Sequence, residues 1–231
     1  MHTTYSDGKL SILEMAEAAK ARGMTYIAIT DHSQMQAQAG GLKPDEALTQ
    51  AEAIREANAN IEGIEILHGI EVDIKADGTL DFDDDVLAQF DWVVASPHVA
   101  LRQDRDAFTE RLVKAIHNPY VDCIGHPTGR LIGRRDPAHI NIDPVIEAAA
   151  ETRTALEINA NPARLDLDAQ YVRLAVEAGV LLSINTDAHD ESMMDVLDYG
   201  INNARRGWLT AEQVINTWAF DKFKTWLADK A

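Results

Sequence analysis

Short apolar runs recur along the chain, and a histidine, a carboxylate or an asparagine follows each of them. They are rich in β-branched residues and bounded by turn residues, a pattern that predicts buried strands. The runs cover residues 26–30, 64–67, 92–95, 121–124, 155–158 and 180–184.

Segments with helical periodicity separate these runs, at residues 10–22, 44–58, 106–116, 144–150 and 168–178. Gly23 and Gly179 follow two of them directly, as expected for helix ends, and Pro44 opens another. Strands that alternate with helices predict parallel β-α units, arranged as a barrel or a doubly wound sheet. The polar residues would then meet at the carboxyl ends of the strands, where barrel enzymes have their active sites.

The C-terminal segment has a different pattern. Thr210 precedes Gln213 by three residues, which resembles a capping box, and the sequence predicts a helix from Ala211 onward. Four aromatic residues in this helix have a spacing that suits an apolar face, so we expect them in the core: Trp218, Phe220, Phe223 and Trp226.

Composition narrows the function classes. The 231 residues fit one large domain or two small ones, and we assign residues 1–231 to one domain. No apolar run approaches the roughly 18–20 residues that cross a membrane, and the polar start does not resemble a signal peptide. The single cysteine, Cys123, excludes an internal disulfide and suits the reducing cytoplasm. The net charge of −17 argues against binding nucleic acid by surface charge alone.

Eight side chains at the predicted strand ends are candidate metal ligands. Imidazoles and carboxylates together suit Zn²⁺, Mn²⁺ or Fe²⁺, and eight ligands are enough for two or three ions if a carboxylate bridges. Two ions roughly 3.5–4 Å apart can clamp the attacking and leaving oxygens of a phosphoryl displacement. The candidates are His2, Asp7, His32, Glu71, His98, His126, Asp187 and His189.

Individual roles follow from chemistry and spacing. Glu71 is our candidate for the bridging ligand, because a carboxylate can offer one oxygen to each ion. Asp187 and His189 are two residues apart at a strand end, so both can reach one cluster. We assign catalytic roles to Glu71, Asp187 and His98. Asp31 directly precedes His32, and we interpret it as a residue that orients an imidazole.

An arginine-rich loop follows His126 in this otherwise acidic chain. Arg130 and Arg134 are candidate phosphate-binding residues, because guanidinium groups suit bidentate phosphate contacts. A solvated loop, or an ion pair of one of these arginines with Asp136, is the alternative interpretation.

Five segments in order resemble the PHP (polymerase and histidinol phosphatase) family: Ile29-Thr30-Asp31-His32-Ser33, Gly69-Ile70-Glu71-Val72, Ala95-Ser96-Pro97-His98, Gly125-His126-Pro127 and Asn185-Thr186-Asp187-Ala188-His189. Further segments resemble the C-terminal PHP domain of bacterial family X DNA polymerases: residues 3–8, 125–135, 157–162 and 204–209. The likeness covers essentially the whole chain.

The resemblance implies a distorted, TIM-barrel-like (β/α) barrel of seven strands with a trinuclear metal centre. It also implies a Mn²⁺-assisted 3′→5′ exonuclease with related 3′-phosphatase or abasic-site activity. The family pattern opens with His-x-His after an apolar strand. His2 matches the second of these histidines, so we expect that the first strand is truncated and that a polymerase domain lies upstream.

Three functions remain open from the sequence. The first is a metal-dependent phosphoesterase that processes DNA 3′ ends in repair. The second is a small-molecule phosphatase of the histidinol-phosphate type, which would take a small phosphate ester with the same metals. The third is a non-catalytic scaffold domain for a polymerase.

Overall fold

The computed structural model describes residues 1–230, which form a mixed α/β fold. Six strands are hydrogen-bonded in the order in which they occur along the chain. The pairs β1–β2, β4–β5 and β5–β6 are parallel. The strands are β1 (Tyr26–Ile29), β2 (Glu65–Asp73), β3 (Trp92–Ser96), β4 (Cys123–Ile124), β5 (Ala155–Asn159) and β6 (Leu182–Asn185).

The predicted seven-stranded barrel is confirmed only in its coarser part, an α/β fold with a parallel sheet. Six strands, not seven, form the sheet of residues 1–230. Each predicted apolar run does contain a strand, and β2 continues to Asp73, beyond the predicted run.

Helices connect the strands, as the alternation predicts. They are α1 (Ile12–Ala21), α2 (Pro44–Asn60), α3 (Asp84–Leu87), α4 (Arg105–Ile116), α5 (Ile142–Thr152), α6 (Ala169–Glu177), α7 (Leu197–Arg206) and α8 (Phe220–Ala228). Local hydrogen bonds fix their starts. Ser11 and Glu14 form a capping box at α1, while Asp104 and Asp168 accept backbone N–H groups at the starts of α4 and α6. Within residues 1–230, no helix is long and apolar enough to cross a membrane.

The chain divides into two compact units, and the single domain over residues 1–231 stays a prediction. The first unit comprises residues 1–73, 81–94 and 187–195. Its core is aliphatic and packs α1 and α2 against β1 and β2, with Met15 and Ile29 fully buried. The second unit comprises residues 74–80, 95–186 and 196–231, of which 231 lies outside the described residues. Phe108, Leu112 and Leu156 are fully buried there.

The C-terminal segment differs from the single helix expected after Ala211. Two 3₁₀ turns, Ala211–Gln213 and Ile215–Thr217, come first, and α8 begins only at Phe220. The amide of Asn216 exchanges two hydrogen bonds with the backbone of Ile184, at 3.1 and 2.7 Å. These contacts hold the segment against β6 and compete with helical pairing. Of the four aromatic residues, Phe223 and Trp226 are buried, whereas Trp218 and Phe220 are half-buried.

A buried arginine in the second unit secures the segment that carries His98. The guanidinium of Arg111 donates to the carbonyl oxygen of Val99 at 2.7 Å and to that of Ile74. Arg111 is only 2% exposed. A buried cation is tolerated when acceptors surround it, and here it also satisfies backbone carbonyls that the sheet leaves unpaired.

Replacing this arginine should destabilise the chain. In Arg111→Met two buried carbonyl groups lose their donor, so we expect the free energy of unfolding to fall by about 2–4 kcal/mol. Urea denaturation measures this change. Arg105→Met is the matched control, because Arg105 lies exposed in the same helix, and its effect should stay within about 0.5 kcal/mol. Equal effects of the two substitutions would contradict this role for Arg111.

Candidate metal centre

Six of the eight predicted ligands lie in the first compact unit, drawn from distant parts of the sequence. They are His2, Asp7, His32, Glu71, Asp187 and His189. The parallel pairing of β1 and β2 extends to a bridge between His32 and Glu71, which sets these two side chains beside each other. The imidazole Nδ1 of His32 lies 3.1 Å from Oε2 of Glu71.

His2 is at the centre of this cluster. Its Nε2 lies 2.9 Å from Oδ1 of Asp187 and 3.4 Å from Oε2 of Glu71. Its ring stacks on the rings of His32 and His189, with centroid distances of 4.3 and 4.2 Å. The backbone N–H of His2 donates to the carbonyl of Ala188, which fixes the N-terminal segment beside the segment after β6.

Asp7 forms the more exposed side of the cluster. Its Oδ1 lies 3.2 Å from Nε2 of His189 and 3.7 Å from Nε2 of His32. Burial alone would raise the pKa of Asp7, but the hydrogen bond from His189 and the nearby imidazoles hold the pKa below its usual value. Burial would lower the pKa of His189, but the hydrogen bond with Asp7 and the charge of Asp187 raise it overall.

These donor atoms fit divalent cations. One ligand atom from each of His2, Asp7, His32 and His189 lies within 4.8 Å of the others, and the same holds for His2, Glu71 and Asp187. Nδ1 of His2 is buried without a hydrogen-bond partner among the described residues. An unsatisfied buried nitrogen is costly, and coordination would satisfy it. Imidazole and carboxylate oxygen are the donors that Zn²⁺, Mn²⁺ and Fe²⁺ accept.

Asp31 supports the loop between the first two ligands rather than an imidazole, in contrast to our interpretation from the sequence. Its carboxylate accepts hydrogen bonds from the backbone N–H of Thr3 at 2.7 Å and from the Thr3 hydroxyl at 2.6 Å. Further donors are the Ser6 hydroxyl and the side-chain amide of Gln50. Asp31 is fully buried, so these hydrogen bonds compensate for the loss of water.

The other two predicted ligands, His98 and His126, lie in the second unit, with ring centroids 5.0 Å apart. The backbone N–H of His126 donates to Oε2 of Glu157 at 2.6 Å. Oε1 of Glu157 accepts from the amide of Asn185 at 2.9 Å. Glu157 is therefore a positioning residue that the sequence analysis missed. Its signal was a carboxylate in the middle of an otherwise apolar strand, β5.

The backbone is strained at two of the ligands. Asp187 has φ of 54° and His126 has φ of 25°, values that are uncommon for residues other than glycine. Such conformations cost free energy and persist where the surroundings enforce them, most often at functional sites. Both residues follow short strands, β4 and β6.

Hydrogen bonds hold the arginine-rich loop in place. The guanidinium of Arg130 donates to the carbonyl oxygens of Arg164, at 2.6 Å, and Leu165, and it lies 3.5 Å from the carboxylate of Asp168. Arg134 is exposed at the tip of the loop, where Leu131 and Arg135 form an antiparallel bridge.

Imidazoles and carboxylates that follow the parallel strands of an α/β fold are typical of a metal-dependent hydrolase. Within that class, the chain belongs to the PHP domain family, whose model matches residues 1–161.

Two curated relatives support this assignment, and one solved structure has a similar fold. The chain is 51% identical over 216 residues to the DNA polymerase/3′-5′ exonuclease PolX of Bacillus subtilis, covering 94% of the chain and 38% of that protein. It is 31% identical over 241 residues to a probable phosphatase of Thermoanaerobacter sp. strain X514, covering 99% of the chain and 93% of that protein. The chain therefore spans less than half of the length of PolX. It is a metal-dependent phosphoesterase domain.

The solved structure is similar in fold alone. It is the histidinol phosphate phosphatase of Lactococcus lactis in complex with zinc, L-histidinol and phosphate. The TM-score is 0.62 at 15% sequence identity, and the match covers 91% of this chain and 92% of that one.

A buried carboxylate lies below the segment between His126 and the arginine-rich loop. Oδ2 and Oδ1 of Asp166 accept a hydrogen bond from the backbone N–H of Thr128, at 3.1 and 3.3 Å. Burial raises the pKa of Asp166 to about 6, against the hydrogen bond from Thr128 and the charge of Arg130, which lower it.

The raised pKa predicts a pH dependence of stability. The folded chain binds a proton at Asp166 that the unfolded chain releases near pH 3.8, so stability falls as pH rises from about 4 to about 6. The shift corresponds to roughly 3 kcal/mol. Urea denaturation of the metal-free chain at pH 4 to 7 measures this loss as the difference between wild type and Asp166→Asn. A difference that does not change with pH would show that Asp166 has an ordinary pKa.

Proposed function

We propose that the chain hydrolyses phosphodiesters at DNA 3′ ends, as a metal-dependent 3′→5′ exonuclease domain. The observation that carries the proposal is the cluster centred on His2, in which three imidazoles and three carboxylates from distant segments share one site. The identity of 51% to a relative named as a DNA polymerase and exonuclease supports DNA as the substrate.

The cluster would hold divalent ions, Zn²⁺, Mn²⁺ or Fe²⁺. Two or three ions, and His98 and His126 as further ligands, stay predictions from the sequence. Bound ions would acidify a water molecule and stabilise the negative charge that develops on the phosphate. Glu71 is the proposed bridging ligand, because its Oε2 lies within 3.4 Å of a nitrogen of both His2 and His32.

The chain's own residues would supply orientation and proton transfer. Asp187 Oδ1 holds Nε2 of His2, which fixes the direction of that imidazole. Catalytic roles for Glu71, Asp187 and His98 stay predictions from the sequence. In the hydrolysis, the water oxygen forms a bond to phosphorus and the P–O3′ bond breaks. The proton of the water passes by way of a neighbouring carboxylate or imidazole to the departing O3′ oxygen.

Arginines would hold the DNA backbone. Arg134, exposed at the tip of its loop, is the proposed phosphate contact, because the chain as a whole carries a net charge of −17, which repels DNA. Arg130 keeps the loop in shape through the carbonyls of Arg164 and Leu165. Its direct contact with phosphate stays a prediction.

The setting we propose is DNA repair in the cytoplasm, together with a polymerase domain. The name of the Bacillus subtilis relative supports a polymerase partner. The single cysteine supports the reducing compartment.

A small-molecule phosphatase is the second candidate function. The alignment with the probable phosphatase of Thermoanaerobacter covers almost the whole length of both proteins. This match favours a phosphate monoester as the alternative substrate.

The proposal predicts 3′-end shortening of a 5′-labelled oligonucleotide in the presence of Mn²⁺. Glu71→Gln should reduce the rate at least about a hundredfold, because loss of even an outer-shell partner costs about 10–100-fold. Glu65→Gln is the matched control, since Glu65 is exposed in the same strand, and it should cleave at the wild-type rate.

A parallel substrate with a 3′-phosphate separates the two candidate functions. Release of inorganic phosphate without any shortening would favour the monoester phosphatase. Inertness of the wild type toward both substrates would contradict a phosphoesterase of either kind.

A further inference from the structure

A groove next to the metal-binding residues has no role in the function so far described. It lies within the first compact unit and has a volume of about 560 Å³. That size is in the range of small-molecule sites, roughly 300–1,000 Å³. The described residues that line it are Thr4, Tyr5, Gly40, Leu42, Asp45, Glu46 and Thr49.

The groove begins inside the loop that carries the first two ligands. Thr4 and Tyr5 lie between His2 and Asp7, and the loop is held tight by hydrogen bonds from Ser6 and Gly8 N–H to the carbonyl of Thr3. Because consecutive Cα atoms are about 3.8 Å apart, the Cα of Tyr5 is at most about 7.6 Å from that of Asp7. A nucleotide bound at Asp7 would therefore lie within reach of the groove.

The chemistry of the groove excludes the phosphate and suits a flat, neutral ring. Among its described lining residues there is no Lys or Arg, and two carboxylates repel an anion. These carboxylates are in the first turn of α2, where the helix dipole favours negative charge, and Glu46 accepts the backbone N–H of Lys43 at 2.9 Å.

The remaining surface offers a platform for stacking. Tyr5 is 38% exposed, although the nearby residues Thr3 and His2 are buried. The buried Leu42 forms part of the groove wall, and the hydroxyl groups of Thr4 and Thr49 add polar groups. An aromatic ring can stack on a nucleobase, and carboxylates beside that ring can accept hydrogen bonds from the exocyclic amine of the base.

We propose that this groove binds the nucleobase of the 3′-terminal nucleotide, with Tyr5 as the stacking residue. The inference rests on the proposed function and extends it, because it names the part of the substrate that lies outside the metal cluster. Release of a nucleoside 5′-monophosphate would then require the base to leave Tyr5.

Two substrates that differ only at the 3′ end test the proposal: an oligonucleotide with a normal terminal nucleotide and one whose terminal residue is abasic. In Tyr5→Ala the preference in kcat/KM for the normal end should fall about tenfold or more, the effect of losing one base–aromatic stack. Tyr5→Phe keeps the ring and should retain the preference. Tyr199→Ala, an exposed tyrosine in α7, is the control for a general loss of aromatic surface.

Binding of deoxyadenosine to the metal-free chain, followed by ligand-observed NMR, gives a readout without catalysis. We expect binding by the wild type and Tyr5→Phe and its loss in Tyr5→Ala. Two results would overturn the proposal and leave the phosphoesterase intact. In the first, the wild type cleaves and Tyr5→Ala shows the same preference for the normal 3′ end. In the second, deoxyadenosine binding is independent of Tyr5. Failure of the wild type to cleave any ester, with Tyr5-dependent deoxyadenosine binding, would overturn the proposed function alone.

Discussion

Buried carboxylates packed against imidazoles are the constraint on which the rest of the site depends. The side chains of Glu71 and Asp187 are only 6% and 14% exposed, and both approach Nε2 of His2. Removing a carboxylate from water is costly unless positive charge or donors replace the water. Divalent cations would supply that charge to both carboxylates at once. The structure thus favours metal binding energetically as well as through ligand geometry.

Three buried polar side chains hold the backbone near the predicted ligands. Asp31 holds the loop between His2 and Asp7, and Glu157 holds the backbone of His126. Arg111 secures the carbonyl next to His98. Each of these groups is buried and forms hydrogen bonds with the backbone. They determine where the ligand side chains start, and the apolar cores of the two units keep them there.

The sequence predicts the six strands and five of the helices because each of these has a local signal, whereas α3 and α7 were not predicted. The helix predicted at residues 44–58 starts at Pro44 and extends two residues further, and Gly23 follows α1 as expected. Long-range contacts explain the failures. The bonds of Asn216 to β6 divide the C-terminal helix, and the partners of Asp31 lie up to 28 residues away in the sequence. The spacing of residues along the sequence predicts neither of these contacts.

Under the proposed function, the groove and the cluster would bind parts of the substrate that differ in charge. Phosphate would be drawn to the cations and to exposed guanidinium, whereas the carboxylates and the ring of Tyr5 would accept the uncharged base. The most direct test of the account is isothermal titration of the metal-free chain with Zn²⁺, alongside His2→Ala and the exposed His117→Ala. The account predicts saturable binding of two or three ions, weakened more than about tenfold only in His2→Ala. Equal binding by both variants, or none by the wild type, would contradict it.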